Sequence, residues 1–290
     1  MKFFADEYFC IGDIHQRSGQ SCQDYAASLA MEKEALAVIA DGCSDGGKTD
    51  WGARLVTVAI EQAWRKQKEK NNQKKMLLAE SSHFRKVLRQ TSRALGLNRN
   101  DLLATCLYVC VTAEGGLIHW QGDGAAAIKY RNGDLDLIKV DWIKNQPFYP
   151  IYRIEGRERK FQKILVDQGE TVGFRVEFWR WNASQNELFL LEEEPHLLSD
   201  KIMDYKVFLG KECWQNQIVS VAIFSDGLMQ IDGRDWKEAA RECLEFKNFQ
   251  GVFLKRRLLA ALRNWRRSGR GPRDDLAVAV IRTEEDKEEL

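Results

Sequence analysis

Apolar residues fall along this chain in short continuous runs and alternating stretches, broken by polar turns, with helical spacing in four places. Residues 7–14 and 25–31 read as strands around a polar connection, His15 to Asp24. Ala35 to Ala40 is wholly apolar and runs into Asp41-Gly42, the pattern of a buried strand over Ala35–Asp41. A Gly-rich loop, Cys43 to Asp50, ends in Thr49 or Asp50 as the N-cap of a helix from near Trp51 to about Lys70. Leu55, Ala59 and Ala63 form one stripe of it and Val56, Ile60 and Trp64 the next, so a broad face is buried. Gln67 to Lys75 is a polar break, and a second helix is predicted over about 76–96, closing near Gly96. Strands follow at Leu102–Val111, Leu117–Gln121, Ala125–Tyr130 and Leu135–Val140, joined by tight turns at Glu114-Gly115-Gly116 and Arg131-Asn132-Gly133-Asp134. Residues 141–170 are rich in aromatics without a clean period and read as a surface subdomain or lid. Residues 171–180 alternate, with Val172, Phe174, Val176 and Phe178 on one face. Strands at Leu188–Leu191 and Val219–Phe224, helices near 235–245 and 250–267, and a last strand at 276–282 complete the pattern.

Strands in antiparallel blocks with helices grouped in pairs imply α+β layers rather than a doubly wound parallel sheet. No linker divides the chain, so residues 1–290 are expected to form a single domain, with a short acidic tail at 283–290.

Composition narrows the classes. The net charge of +1 gives no overall field that would draw nucleic acid. No apolar run reaches the length of a membrane span, and the N-terminus lacks the long apolar stretch of a signal peptide, so a cytoplasmic protein with no membrane partner is expected. Seven cysteines without a Cys-x-x-Cys pair read as buried thiols in a reducing compartment.

Candidate chemistry lies at the strand ends. Asp-Gly is a common turn dipeptide, but here it recurs after strand-like runs, as Asp41-Gly42, Gly122-Asp123-Gly124 and Ser225-Asp226-Gly227, and Arg273-Asp274-Asp275 feeds the final strand. Aspartates gathered at strand ends repel one another unless a cation or a proton intervenes. Hard divalent cations take such oxygen ligands, and two of them sharing a carboxylate can activate water and clamp a phosphoryl group. The set lacks the His/Cys ligands that zinc prefers. Asp45, Asp134 and Asp232 read as turn residues, Asp13 as structural, His119 as a core or sheet-face residue, and His83 and His196 as incidental.

The order Cys22-Gln23-Asp24, Asp41-Gly42, Leu103-Ala104-Thr105, Gly122-Asp123-Gly124, Ser225-Asp226-Gly227 and Asp274-Asp275-Leu276 resembles the metal-dependent type 2C protein serine/threonine phosphatases, in particular their bacterial branch. The resemblance spans about residues 8–282 and is poorest over 141–215, where the family carries a variable flap. It implies a four-layer α/β/β/α sandwich of two antiparallel sheets between pairs of helices. It implies two or three Mn2+ or Mg2+ ions held by Asp24, Asp41, Gly42, Asp123, Asp226 and Asp274, with Asp41 as the bridge and Asp41, Asp226 and Asp274 as the catalytic set. It further implies hydrolysis of phosphoserine or phosphothreonine in proteins by a metal-bridged hydroxide, with a phosphorylated protein as partner and a cognate kinase as a second one.

Three positions depart from the family. Gln23 stands where many members have glutamate. The phosphate-binding arginine, five residues before Asp24, falls on Gly19, leaving His15 and Arg17 as candidates for that role. Cys43 stands where animal members often have a histidine, and a thiol is a poor general acid at neutral pH. These departures motivate an alternative, a weak or inactive pseudophosphatase that acts as a regulatory binding module; a two-metal hydrolase of other phosphoesters is a third reading. Lys255 to Arg273 holds eight basic residues and no acid. It reads as a solvated helix face and loop whose end, at Arg273, adjoins a candidate ligand; without interleaved aromatics, nucleic acid is not the expected partner.

Overall fold

The continuous apolar runs have a simple cause: their strands are buried on both faces. Along Glu34–Ala40 (β3), Ala35, Ala37 and Ile39 enter a core between two sheets, while Leu36, Val38 and Ala40 pack under helices. Along Leu276–Glu284 (β12), Ala277, Ala279 and Ile281 share that inter-sheet core, and Leu276, Val278 and Val280 face a third cluster beneath another helix pair. A strand covered on both sides loses its alternation in sequence.

The computed structural model describes residues 2–68, 76–211 and 217–284. The remaining strands are β1 (Lys2–Cys10), β2 (Tyr25–Met31), β4 (Cys106–Thr112), β5 (Gly115–Gln121), β6 (Gly124–Tyr130), β7 (Leu135–Trp142), β8 (Val172–Asn182), β9 (Glu187–Leu197), β10 (Tyr205–Leu209) and β11 (Ile218–Phe224). The helices are α1 (Asp13–Ser18), α2 (Thr49–Lys68), α3 (Ser82–Ala94), α4 (Pro150–Ile154), α5 (Glu158–Asp167), α6 (Trp236–Cys243) and α7 (Phe253–Arg267). Among the described residues, one sheet has the order β1-β12-β11-β6-β7-β8-β9 and the other β10-β5-β4-β3-β2, with antiparallel pairing throughout. Helices α2 and α3 cover the five-stranded sheet, and α6 and α7 the seven-stranded one. The predicted α+β sandwich of four layers is therefore the architecture observed.

Local differences have physical reasons. The first strand ends at Cys10, and residues 13–18 form a helix whose one buried side chain is His15. The helix expected over 76–96 is a single 3-10 turn at Leu78–Glu80 and then α3, because Ser81 caps the latter: its hydroxyl accepts from the Phe84 N–H at 3.1 Å. The expected strand at Leu102–Val111 begins only at Cys106, after a 3-10 turn at Arg99–Leu102. The stretch 141–170, expected as a surface subdomain or lid, holds the end of β7, α4 and α5 and buries Phe148, Tyr149 and Ile151 in the two cores, and β10 has no counterpart among the expected strands. The final strand runs on to Glu284, into the expected tail. Residues 69–75 of the polar break and 285–290 of the tail lie outside the described residues.

Candidate metal centre

Antiparallel pairing brings the exits of β3 and β11 level with the entries of β2, β6 and β12: Tyr25 pairs with Ala40, and Phe224 with both Ala125 and Val278. The residues one or two positions beyond are Asp24, Asp41, Asp123, Asp226 and the Asp274-Asp275 pair. The fold thus gathers acids up to 251 positions apart at one end of the sandwich (Asp24 to Asp275).

Asp41 is fixed by its backbone. Its N–H donates to Thr105 Oγ1 at 3.0 Å, and its carbonyl accepts from the Thr105 N–H at 2.8 Å. The Cys43 N–H donates to the Leu103 carbonyl at 2.8 Å, so Leu103-Ala104-Thr105 zips onto the Asp41-Gly42-Cys43 turn. Gly42 allows that crowding, since a Cβ there would stand 2.7 Å from the Thr49 carbonyl oxygen and 2.9 Å from that of Gln23. Asp41, Gly42, Cys43, Asp123, Asp226 and Asp274 line one cavity of about 130 Å³, and Asn145, Pro147 and Tyr149 from the stretch after β7 wall its other side.

Asp24 lies beneath, 2 % exposed. Ser225 Oγ donates to Asp24 Oδ2 at 2.6 Å while accepting from the Ala277 N–H at 2.9 Å. Gln230 spans two cavity acids: its side-chain amide donates to Asp226 Oδ2 and to Asp274 Oδ2, both at 3.1 Å. Asp275 points away and acts as a clamp. Its Oδ1 accepts from the Gly12 N–H at 2.7 Å, and its Oδ2 from the Gln23 N–H at 2.6 Å. His15 Nδ1 stands 2.9 Å from that Oδ2 and 3.8 Å from Asp274 Oδ1.

The electrostatics follow from burial and crowding. Burial raises the Asp41 carboxyl well above the usual carboxylate range, and the charges of Asp24 and Asp226 add to the shift. Asp24 is likewise pushed well up by burial and by Asp275, Asp226 and Asp274, against the Ser225 hydrogen bond. Burial, then Asp226, lifts Asp123 to about 8. Asp226 is raised by burial despite hydrogen bonds from Asp41 and Gln230. The Asp41 and Asp226 carboxyls are within hydrogen-bonding reach of each other, a crowding that a shared proton or a cation relieves.

The donor set fits hard divalent cations. Five aspartates, Asp41, Asp45, Asp123, Asp226 and Asp274, and a glycine turn line the cavity, and the Gln23 side-chain oxygen is buried without a hydrogen-bond partner among the described residues. Asp275, already saturated by backbone donors, does not belong to that set. A second cluster, Glu80, His119 and Asp204, is filled by cations of the chain itself: Lys206 lies 2.5 Å from Glu80 and 3.3 Å from Asp204, and Arg153 lies 2.9 Å from Asp204. His119 is wholly buried against Asp204.

All of the acids singled out in the sequence meet at this end. His15 is buried beside the cluster without lining the cavity, and Arg17 is exposed on the last turn of α1. Gly19, at the position of the family's arginine, caps α1 in the left-handed conformation, φ +71°. Three features had no place among the sequence expectations: Gln230, the clamp role of Asp275, and Asp45, expected as a turn residue and found lining the cavity. For Asp275 the signal was the second acid of the Asp-Asp pair; Gln230 carried none.

The sequence model described as protein phosphatase 2C matches residues 11–149. No curated protein matches the sequence significantly. Among solved structures, a bacterial serine phosphatase is 13 % identical with 98 % of each chain covered and a TM-score of 0.54. The serine/threonine phosphatase Stp1 from Staphylococcus aureus is 12 % identical, covering 98 % of this chain and 96 % of its own, with a TM-score of 0.54. The catalytic domain of the serine/threonine protein phosphatase PstP, solved with two manganese ions, is 14 % identical, covering 98 % and 99 %, with a TM-score of 0.52. Over residues 11–149 the chain is thus similar to the protein phosphatase 2C family, and along its length it has the fold of these phosphatase structures.

Proposed function

We propose that this chain is a cytoplasmic, metal-dependent phosphatase of phosphoserine or phosphothreonine in proteins. The observation that carries the reading is the contact of the Asp41 and Asp226 carboxyls in a cavity that Asp123 and Asp274 also line. Asp41, Gly42, Asp226 and Asp274 would hold two Mn2+ or Mg2+ ions, with Asp24 behind them and Asp123 with Asp226 at a third. Such ions supply a water of lowered pKa and neutralise phosphoryl oxygens. The chain's own residues do the rest. Asp41, held from both sides by Thr105, keeps its carboxylate fixed at the strand exit. Gln230 sets the spacing of Asp226 and Asp274. Asp275 fixes the 12–23 loop, and with it the buried His15 and the exposed Arg17, the latter our candidate for the phosphate's cationic side.

A second reading, a pseudophosphatase that binds a partner such as a kinase, is favoured by Cys43. The Tyr149 side chain lies against the Cys43 thiol, and burial followed by Cys43 drives the Tyr149 hydroxyl pKa far up, so Tyr149 is not an acid suited to neutral pH. The two readings separate in one assay: hydrolysis of a phosphoserine peptide and an aryl phosphate with Mn2+, with chelator, and by Asp41→Asn. Turnover that needs Mn2+ and is lost in the variant supports the phosphatase. Turnover indifferent to both overturns it, and two tight Mn2+ sites without turnover favour the binding module.

A further inference from the structure

Resting on the phosphatase reading, we infer that the arginines at the end of α7 and in the loop that follows form a docking surface for the acidic segment beside the phosphorylated residue of a protein substrate. Arg263, Arg266, Arg267, Arg270 and Arg273 are all exposed. Their ion pairing is slight. Arg266 reaches Asp13 only at 3.7 Å and Arg273 reaches Asp232 only at 3.8 Å. Among the described residues, no carboxylate lies within 4 Å of the guanidinium of Arg263, Arg267 or Arg270. A chain of net charge +1 thus concentrates unneutralised cations on one short stretch.

The stretch is rigidly joined to the metal centre. The Asp13 and Ile14 N–H groups donate to the Pro272 and Arg273 carbonyls, each at 3.0 Å. The Arg273 N–H donates to the Gln230 carbonyl at 3.0 Å, and the side chain of that same Gln230 bridges Asp226 and Asp274. Arg273 directly precedes Asp274. The loop that carries Arg270 and Arg273 thus leads from the end of α7 directly into the metal centre at Asp274. Exposed, weakly paired guanidinium groups attract the carboxylates of an acidic segment and so raise its local concentration. The surface fits a peptide better than nucleic acid, because the one aromatic in the stretch, Trp265, is 1 % exposed and offers no base a stacking face.

The test uses the full chain loaded with Mn2+ and two phosphoserine peptides, one with acidic flanks and one with those acids replaced by Ser and Asn. The variant is Arg263→Glu/Arg267→Glu/Arg270→Glu, with Lys33→Glu/Lys86→Glu/Lys163→Glu as a control of equal charge change at exposed positions elsewhere. At low salt the wild type is expected to favour the acidic peptide in kcat/KM by about tenfold. That preference should vanish in the arginine variant and at high salt, persist in the lysine control, and leave aryl phosphate turnover unchanged in all three. An equal preference in wild type and arginine variant, or equal loss in the lysine control, overturns the proposal. Fluorescence anisotropy with the unphosphorylated acidic peptide separates its failure from that of the phosphatase reading. Without any turnover, binding by the wild type that is lost only in the arginine variant still supports the surface. Absent binding, or tighter binding of a single-stranded oligonucleotide, overturns it.

Discussion

At the scale of residues, the centre is a set of carboxylates whose proximity needs compensation, and the compensation is visible. Ser225 serves Asp24, Thr105 serves the Asp41 backbone, and Gln230 serves Asp226 and Asp274. Gln230→Leu keeps the bulk and removes the amide bridge. It should weaken Mn2+ binding by about 10–100-fold, the usual effect of losing a partner that orients ligands, with little change in the urea midpoint; unchanged Mn2+ affinity by calorimetry would show that the bridge is incidental. Asp123 gives a pH prediction. Its native pKa without metal, about 8, lies above the unfolded value near 4. The folded form therefore holds the proton more tightly, and this contribution to stability is present below about pH 4 and lost as pH rises through 8. In chelator, thermal melts should show stability from this group falling between pH 5 and 8, a slope that Asp123→Asn flattens. Added Mn2+ should stabilise more at pH 8 than at pH 6, since it displaces protons; equal gains at the two pH values would speak against a proton-occupied cluster. The acids were legible in sequence because each ends or begins an apolar run. Gln230 was not, because its role is created by a contact 44 positions away, to Asp274.

At the scale of elements, the centre depends on how loops are tied to strands. Asp275 ties the 12–23 loop to the start of β12 through two buried or half-buried N–H groups. Asp275→Ala leaves both donors without their carboxylate, at a cost of about 3 kcal/mol, and frees the loop that carries His15. The expected outcome is a lower urea midpoint together with weaker Mn2+ binding, although Asp275 does not face the cavity; loss of stability with full Mn2+ affinity would confine Asp275 to a folding role. Elements with long periodic stripes were legible: α2 buries Leu55, Val56, Ala59, Ile60, Ala63 and Trp64 as their spacing required. Short elements were not. In α1 only His15 is buried out of six residues, and in α4 Pro150, Ile151 and Ile154 span barely one turn, so neither offers a period to read. β10 has five residues on a sheet edge and one fully buried side chain, Leu209.

At the scale of the whole molecule, two stacked antiparallel sheets align the ends of β2, β3, β6, β11 and β12, and this alignment turns scattered Asp-Gly pairs into one site. The layering was legible because strands buried on both faces read as continuous apolar runs, and the helix pairs as broad stripes. The joining of residues 143–167 to the wall of the cavity was not, because Tyr149 and Pro147 gain their meaning only from facing Asp41 across space. The most direct measurement is a calorimetric titration of the metal-stripped chain with Mn2+ at pH 8, beside the same titration of Asp41→Asn. The account predicts saturable binding at two or more sites in the wild type, with proton release, and loss of the tightest binding in the variant. A wild type that binds no Mn2+, or a variant that binds it as tightly, would contradict the assignment of these carboxylates to a divalent metal centre.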